Sequence, residues 1–234
     1  REPWRVVEVL PDVAGTWSLT IEPEGHEGLR FAPGQFAWVK IGRSPWSVEE
    51  HPFSFSSSAE QPKRIAFGIK ELGDFTSRIG QVPTGTRVLV DGPHGSFSCD
   101  LQPAQAFLFI AGGIGISPIL SMIRTLADRG DRRPVRLVYA CSRWDRVAFR
   151  AELARLEDRL DLRVVYVLEE GHEGWAGPVG YVSREVLEPL LAEEVSSRQV
   201  FLCGPDPMMM VVERILLDCG VPRSGISMER FHLV

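Results

Sequence analysis

The chain has 234 residues, enough for one large domain or two ordinary ones, and its 44% hydrophobic and 24% charged residues are typical of a globular protein with a core. Its formal net charge is only −5, and neither half is basic enough in composition to indicate a nucleic-acid partner. No apolar run approaches the roughly 18 residues of a membrane span, and the four scattered cysteines indicate a reducing compartment rather than disulfides or a zinc site.

The first part of the chain, residues 1–101, is predicted to be a small antiparallel β-barrel domain. Short runs rich in β-branched and aromatic residues recur between turn signals, and the longest segment with helical period is Asp74–Ile79. Six short strands at this spacing favour a small barrel. The predicted strands are Trp4–Leu10, Thr16–Ile21, Gln35–Ile41, Phe53–Ser56, Ile65–Lys70 and Thr86–Asp91.

The second part, residues 107–234, is predicted to be a Rossmann-like α/β domain, joined to the first through Leu101–Ala106. Apolar strands alternate with helical segments, an order that means a parallel sheet with right-handed crossovers. The predicted strands are Phe107–Ala111, Val135–Cys141, Leu162–Leu168, Val200–Cys203 and Ile226–Phe231. The predicted helices are Ile119–Arg129, Val147–Leu160, Arg184–Leu191 and Pro207–Cys219.

A glycine-rich turn follows the first of these parallel strands. Gly112, Gly113 and Gly115 precede Ser117 and Pro118, which are the residue types of a helix N-cap and a first helical position. Unpaired N–H groups at the positive end of a helix suit a phosphate. The glycines alone support a plain βα turn without a ligand equally well.

Two further loops follow parallel strands and are expected at the same edge of the sheet. They are Ser142–Arg143 and Gly204–Pro205. Ligands of such sheets bind beyond the carboxyl ends of the strands, so three loops together predict a dinucleotide site. Ser142, Arg143 and Arg146 suit a 2′-phosphate, which favours NADPH over NADH.

Six short motifs then occur in one order and resemble the flavin and nicotinamide domains of the ferredoxin–NADP reductase superfamily. They are His51-Pro-Phe-Ser54, Gly73-Asp-Phe-Thr76, Gly92-Pro-His-Gly95, Gly112–Pro118, Cys203-Gly-Pro205 and Glu229-Arg-Phe231. The His-Pro-Phe-Ser form, after Gly34-Gln-Phe-Ala-Trp38, is most similar to the dehydrogenase part of ferric reductases and NADPH oxidases. The resemblance implies FAD as resident cofactor and NADPH, or NADH, as the substrate that gives hydride.

On the flavin side the resemblance implies that Phe53 stacks on the isoalloxazine and that Ser54 contacts it near N5. His51 stands where the superfamily has arginine, and a histidine makes no bidentate phosphate contact, which implies weaker flavin binding. Asp74 or Thr76 is expected to cap a short helix that receives the pyrophosphate. The further flavin contacts implied are Pro52, Ile69, Lys70, Gly73, Phe75, Thr76, Ser77 and the shielding aromatic Phe231.

On the nucleotide side the resemblance implies that Cys203 lies beside nicotinamide C4. With Ser54 and Glu229 it would surround the hydride path. Proline at the last position of the glycine turn departs from G-x-G-x-x-G and implies a visiting nucleotide rather than a resident one. The implied contacts are Gly112, Gly113, Ile114, Gly115, Pro118, Ser142, Arg143, Arg146, Cys203, Gly204, Pro205 and Met208.

Electrons must leave the flavin for an acceptor outside the chain, because no plant-type cysteine cluster for iron–sulfur binding is present in the sequence. The resemblance implies a haem-bearing transmembrane domain in one polypeptide with this cytoplasmic part. The alternative is a self-contained soluble reductase of ferredoxin, a ferric siderophore or free flavin. A flavin-binding regulatory subunit is the non-enzymatic alternative. The chain starts at Arg1 without methionine, which is compatible with a fragment and with simple trimming.

Overall fold

A computed structural model describes residues 2–42, 50–192 and 197–230. The first half is a curled antiparallel sheet with the strand order β4-β3-β6-β1-β2-β5, and its two edges meet where Phe55 bridges Phe67. This confirms the six-stranded β-barrel fold. Its strands are β1 (Pro3–Pro11), β2 (Thr16–Pro23), β3 (Phe36–Ile41), β4 (His51–Ser54), β5 (Ile65–Lys70) and β6 (Arg87–His94).

The barrel has its own core because its strands alternate. In β3, Ala37, Val39 and Ile41 are buried in the barrel, with Phe36 and Trp38 on the other face. Leu19 and Ile21 meet them from β2. A 3₁₀ segment, Thr76–Gln81, packs on this core through the buried Ile79.

The second half is a five-stranded sheet in which every strand pair is parallel, with the order β11-β10-β7-β8-β9. This confirms the Rossmann-like prediction, and the strand order reverses at β7, between β8 and β10. The strands are β7 (Ala106–Gly112), β8 (Val135–Cys141), β9 (Leu162–Leu168), β10 (Arg198–Cys203) and β11 (Ile226–Glu229). The helices are α1 (Ile116–Asp128), α2 (Arg150–Glu157), α3 (Arg184–Leu191) and α4 (Asp206–Asp218).

Helices cover both faces of this sheet, as the alternation in β7 requires. Phe107 and Phe109 pack on the side of α1 and α2, whereas Leu108 and Ile110 pack on the side of α3 and α4. Every residue of β7 is buried, which explains its continuous apolar sequence. None of the described helices is long and apolar enough to cross a membrane.

Several predicted boundaries were wrong, and contacts between the halves explain the largest error. Helix α2 begins at Arg150 rather than Val147, because Phe149 adopts a left-handed conformation with φ 58°. Its N–H donates to the Asp12 carboxylate of the barrel at 2.7 Å. Strand β4 begins at His51 because this residue pairs with Val39, and β11 ends at Glu229.

Candidate functional site

The three glycine- and arginine-bearing loops meet at one cavity of about 750 Å³ beyond the carboxyl ends of β7, β8 and β10. Its position is the point at which the strand order reverses, where open α/β sheets bind ligands. Its size is that of an ordinary small-molecule site. The predicted site residues that line it are Lys70, Gly112, Gly113, Ile114, Ser142, Arg143, Arg146, Pro205 and Met208.

Close packing of two loops accounts for part of the glycine turn. A Cβ built on Gly115 would lie 2.3 Å from the carbonyl oxygen of Cys203, so the β7 and β10 loops could not touch with any other residue there. Gly113 is different, since it has φ 52° and no atom within 4 Å of an added Cβ. The side chain of Met208 packs directly on Gly112.

The predicted N-cap role of Ser117 was wrong. Helix α1 begins at Ile116, two residues before Pro118, with Gly115 at the N-cap position and no side-chain cap. The Ser117 hydroxyl instead donates to the carbonyl of Gly68 in the barrel at 3.1 Å. Pro118 occupies the first turn of α1, where a missing N–H costs no helical hydrogen bond. The uncapped first turn follows the cavity-lining Gly113 and suits an anionic group.

Three cationic side chains line the cavity, and two of them already have partners. Arg143 donates to both carboxylate oxygens of Asp145, at 3.1 and 3.0 Å. Arg146 donates to the carbonyl of Ala14 in the barrel at 2.8 Å. Lys70, predicted to contact the flavin, lines this cavity from the end of β5. The barrel therefore contributes charge to the same cavity as the parallel sheet.

The sequence prediction missed two carboxylates on the cavity wall, Glu169 and Glu170. Their N–H groups donate to the carbonyls of Cys141 at 3.0 Å and Ser142 at 2.9 Å, which extends the pairing of β8 and β9 beyond both strands. The signal was present in the sequence, because both residues directly follow a predicted parallel strand. Tyr181, which is 75% exposed, was also missed and lines the cavity rim.

Cys203 lies behind the cavity rather than on its wall, with no exposed surface. It pairs in register with Glu229 of β11. Burial, and secondarily the charge of Glu229, raises the pKa of the Cys203 thiol well above its usual range, and burial also raises the pKa of Glu229. Cys203 is therefore an uncharged thiol at neutral pH. Gly115, Pro118 and Gly204 are buried and, like Cys203, do not line the cavity.

The predicted flavin residues form a separate aromatic cluster on β4 and the segment before the 3₁₀ turn. The rings of His51 and Phe75 are nearly parallel, with centroids 3.9 Å apart and an angle of 18°. The Phe53 ring lies 6.3 Å from Phe75, at 21°. Pro52, between the two β4 rings, is exposed. Parallel ring faces of this kind suit a planar heteroaromatic group.

Ser54, the last residue of β4, adds a polar group to this cluster. Its hydroxyl is buried, and among the described residues it has no hydrogen-bond partner. A buried hydroxyl without a partner is costly, so it fits an acceptor supplied by a bound group. The aromatic faces and this hydroxyl together fit an isoalloxazine ring. The Ile69 side chain is buried in the barrel core, so only its backbone could reach such a ligand.

The Gly73–Ser77 stretch does not have the predicted cap. The 3₁₀ segment begins after Phe75 without a side-chain cap, and the Thr76 hydroxyl accepts from the N–H groups of Leu72 and Gly73 at 2.9 and 3.1 Å. The Ser77 hydroxyl donates to the Asp74 carbonyl at 3.0 Å. Phe231 lies outside the described residues. Within the described parts of the chain, no three His, Cys, Asp or Glu side chains are placed to hold a metal ion.

Comparisons with known proteins match both halves of the chain. Residues 13–98 match the family model of an FAD-binding domain, and residues 109–214 match that of an oxidoreductase NAD-binding domain. The glycine betaine monooxygenase reductase subunit of Chromohalobacter salexigens is 30% identical over 210 residues. The match covers 86% of this chain and 56% of that protein, so the chain spans about half the length of this curated relative.

Two solved structures show the same fold over nearly the whole chain. A ferredoxin reductase in carbazole 1,9a-dioxygenase superposes with a TM-score of 0.84 at 26% identity, covering 99% of this chain and 69% of that one. The FAD/NAD-binding domain of nitric oxide dioxygenase from Vibrio cholerae has a TM-score of 0.84 at 22% identity, covering 98% of each chain.

Proposed function

The chain belongs to the ferredoxin–NADP reductase superfamily, and from this premise we propose that it takes hydride from a reduced nicotinamide nucleotide onto FAD and passes electrons onward to an acceptor outside the described residues. The observation that carries the proposal is the cavity of about 750 Å³ at the strand-order reversal, into which the barrel projects Lys70. We also propose the domain boundary between residues 101 and 107, because β6 ends at His94 and β7 begins at Ala106.

The flavin would be held by the aromatic cluster and the hydroxyl beside it. When bound, FAD supplies the conversion of a two-electron hydride into single electrons. Phe53 and Phe75 would offer their ring faces, and the Ser54 hydroxyl, which has no partner among the described residues, would donate a hydrogen bond to a ring acceptor. Gly73, Thr76 and Ser77 are the proposed contacts for the pyrophosphate, with Phe231 as the proposed shielding ring.

The nucleotide would lie over the glycine turn, with its phosphates near the uncapped start of α1 and near Lys70. The chemistry needs close approach and a dry site rather than a protein nucleophile. Cys203 suits this need because it is small, fully buried and uncharged. Glu229, its half-buried register neighbour on β11, lies beside it.

We propose that two groups of side chains act in opposite directions on the choice between NADPH and NADH. Arg143 and Arg146 would attract a 2′-phosphate, which supports the predicted preference for NADPH. Glu169 and Glu170 line the same cavity and would repel that phosphate while accepting from a free ribose diol. We propose that both nucleotides are substrates and that this balance sets their ratio.

A separate redox protein is the acceptor that the relatives support best. The names of two of them describe a monooxygenase reductase subunit and a ferredoxin reductase in a dioxygenase, and both are electron-supplying components. The second candidate is a haem-bearing membrane domain, which only the His51-Pro-Phe-Ser54 motif supports. The coding sequence around the native gene distinguishes them: an oxygenase or iron–sulfur protein supports the first, and apolar segments with paired histidines support the second.

The proposed reaction is tested by steady-state reduction of ferricyanide, a small one-electron acceptor. The purified chain, loaded with FAD, should reduce ferricyanide with NADPH or NADH, and removal of FAD should abolish the rate. Serum albumin mixed with FAD at the same concentration serves as the control. No FAD-dependent reduction with either nucleotide, in a preparation shown to retain FAD, would contradict the proposal.

A further inference from the structure

Helix α1 carries a buried polar stripe whose hydroxyl residues do not line the cavity. Ser117, Ser121 and Thr125 are at most 1% exposed and lie at i, i+4 and i+8, on one face of the helix. Arg124 lies beside them. The rest of α1 faces the apolar core of the α/β half. Buried hydroxyls are costly unless they are hydrogen-bonded, so this stripe must have partners.

Each of the three hydroxyls has a partner in the backbone of the barrel half, and that of Thr125 also donates to the Ser121 carbonyl of its own helix at 2.7 Å. Ser117 donates to the carbonyl of Gly68 at 3.1 Å, and Ser121 donates to that of Ser57 at 2.7 Å. The Thr125 hydroxyl accepts from the N–H of Ala59 at 2.9 Å.

Arg124 adds hydrogen bonds to the barrel and to α2 beside these contacts. It donates to the carbonyl of Ser56 at 2.7 Å, and both Nε and Nη2 donate to the Glu152 carboxylate of α2 at 2.7 and 2.6 Å. We call Ser117, Ser121, Arg124 and Thr125 the α1 stripe.

These hydrogen bonds connect the two halves of the proposed site. The α1 helix starts immediately after the glycine turn that lines the nucleotide cavity. The barrel segment Ser56–Ala59 starts two residues after Ser54, the proposed flavin contact, and is itself tied to β5 by the N–H of Ser56, which donates to Ala66 at 2.8 Å. One rigid helix thus joins the nucleotide side to the flavin side.

The contact at Gly68 shows how close this approach is. A Cβ built on Gly68 would lie 2.3 Å from the Ser117 hydroxyl oxygen. Any larger residue at position 68 would therefore displace the Ser117 side chain from its hydrogen bond and crowd the start of α1. The barrel strand accommodates the helix only because this position is glycine.

We propose that Ser117, Ser121 and Thr125 are positioning residues for hydride transfer. They fix the separation between the nucleotide cavity and the Ser54 side of the barrel. The inference rests on the proposed function. An error of 1 Å in the placement of reacting groups can cost about 10²-fold in rate, so a fixed separation has direct value for this chemistry.

The test compares Ser121→Ala and Thr125→Val with a matched control, Ser98→Ala. Ser98 is equally buried, but its hydroxyl accepts from Asp100 within a local turn and does not join the two halves. We expect the first two variants to lower the single-turnover rate of flavin reduction at saturating nucleotide about tenfold or more. The dissociation constants for FAD and nucleotide should remain within about twofold, and Ser98→Ala should keep the wild-type rate.

A second readout does not depend on a loaded enzyme. In flavin-free protein, amide hydrogen exchange in residues 56–59 should accelerate in Ser121→Ala and Thr125→Val but not in Ser98→Ala. Thr125→Ser retains a hydroxyl and should restore slow exchange and most of the rate. If the first two variants lose thermal stability but keep the wild-type rate, the α1 stripe is only structural and the proposal is wrong.

A steric variant keeps the test decisive if a hydroxyl deletion fails to fold. Gly68→Ala should lower the rate, because the added Cβ would lie 2.3 Å from the Ser117 hydroxyl oxygen, break its hydrogen bond to residue 68 and crowd the start of α1. An unchanged rate in Gly68→Ala would also overturn the proposal. Failure of the wild-type protein to reduce flavin at all would instead contradict the proposed function.

Discussion

Replacing Gly115 with alanine is the substitution whose cost can be worked out most directly. The added Cβ would lie 2.3 Å from the carbonyl oxygen of Cys203, whereas ordinary contact begins at 3.4 Å. The β7 and β10 loops must therefore separate by about 1 Å, because a backbone oxygen cannot rotate away as a side chain can. A displacement of that size predicts a loss of about 10²-fold in hydride-transfer rate.

The assay is stopped-flow reduction of the FAD-loaded variant at saturating nucleotide, with Gly130→Ala as the control. Gly130 does not line the cavity, and an added Cβ there meets nothing within 4 Å, so only the positive φ of 64° opposes alanine, at roughly 1–2 kcal/mol of stability. Gly130→Ala should melt earlier but keep the wild-type rate. If Gly115→Ala transfers hydride as fast as Gly130→Ala, the loop-packing explanation of this glycine is refuted.

Three further predictions concern separate contacts in the molecule. Asp12→Ala leaves the buried N–H of Phe149 without its 2.7 Å acceptor and should cost about 1–3 kcal/mol in chemical denaturation, whereas Asp12→Asn keeps an acceptor and should cost less. Burial raises the pKa of Asp12, so the folded state favours the protonated carboxyl. The wild type should therefore lose stability as pH rises from the ordinary pKa of an aspartate through the raised pKa, and Asp12→Asn should not. Equal stability of the alanine and asparagine variants would contradict the hydrogen bond. Glu169→Gln/Glu170→Gln should raise kcat/KM for NADPH relative to NADH, and Arg143→Ala should lower the same ratio, each by a few-fold to about tenfold; a ratio unmoved by both would remove these side chains from nucleotide choice. Ser54→Ala deletes the unpartnered hydroxyl and should slow flavin reduction with little change in melting temperature, since no protein hydrogen bond among the described residues is lost; a large stability loss without a rate effect would contradict its role.

Features that depend on a single element could be predicted from the sequence, because the spacing of apolar residues in an element reflects which of its faces are buried. The unbroken apolar run of β7 predicted a strand covered on both faces, and every residue of β7 is buried. The alternation of strands and helices after residue 107 predicted a parallel sheet. The same rule of strand ends located Ser142 and Arg143 on the cavity, and it would have located Glu169 and Glu170 had it been applied to β9.

Contacts between segments that are distant in the chain could not be predicted from the sequence. Ser117 has the residue type of an N-cap, but its acceptor is Gly68, 49 residues earlier in the chain. The start of α2 depends on Asp12, 137 residues before Phe149. Lys70 follows a barrel strand, yet it lies on the nucleotide cavity because the two halves pack together there. No local pattern of residue types encodes such pairings.

The central claim is hydride transfer from nicotinamide to FAD, and a single anaerobic turnover with deuterated nucleotide tests it most directly. FAD-loaded protein should lose the absorbance of oxidised flavin at about 450 nm with one equivalent of nucleotide per FAD. Deuterium on one face of nicotinamide C4 should slow this loss, and deuterium on the other face should not. Protein that retains FAD and is bleached by dithionite, but by neither NADPH nor NADH, would contradict the claim.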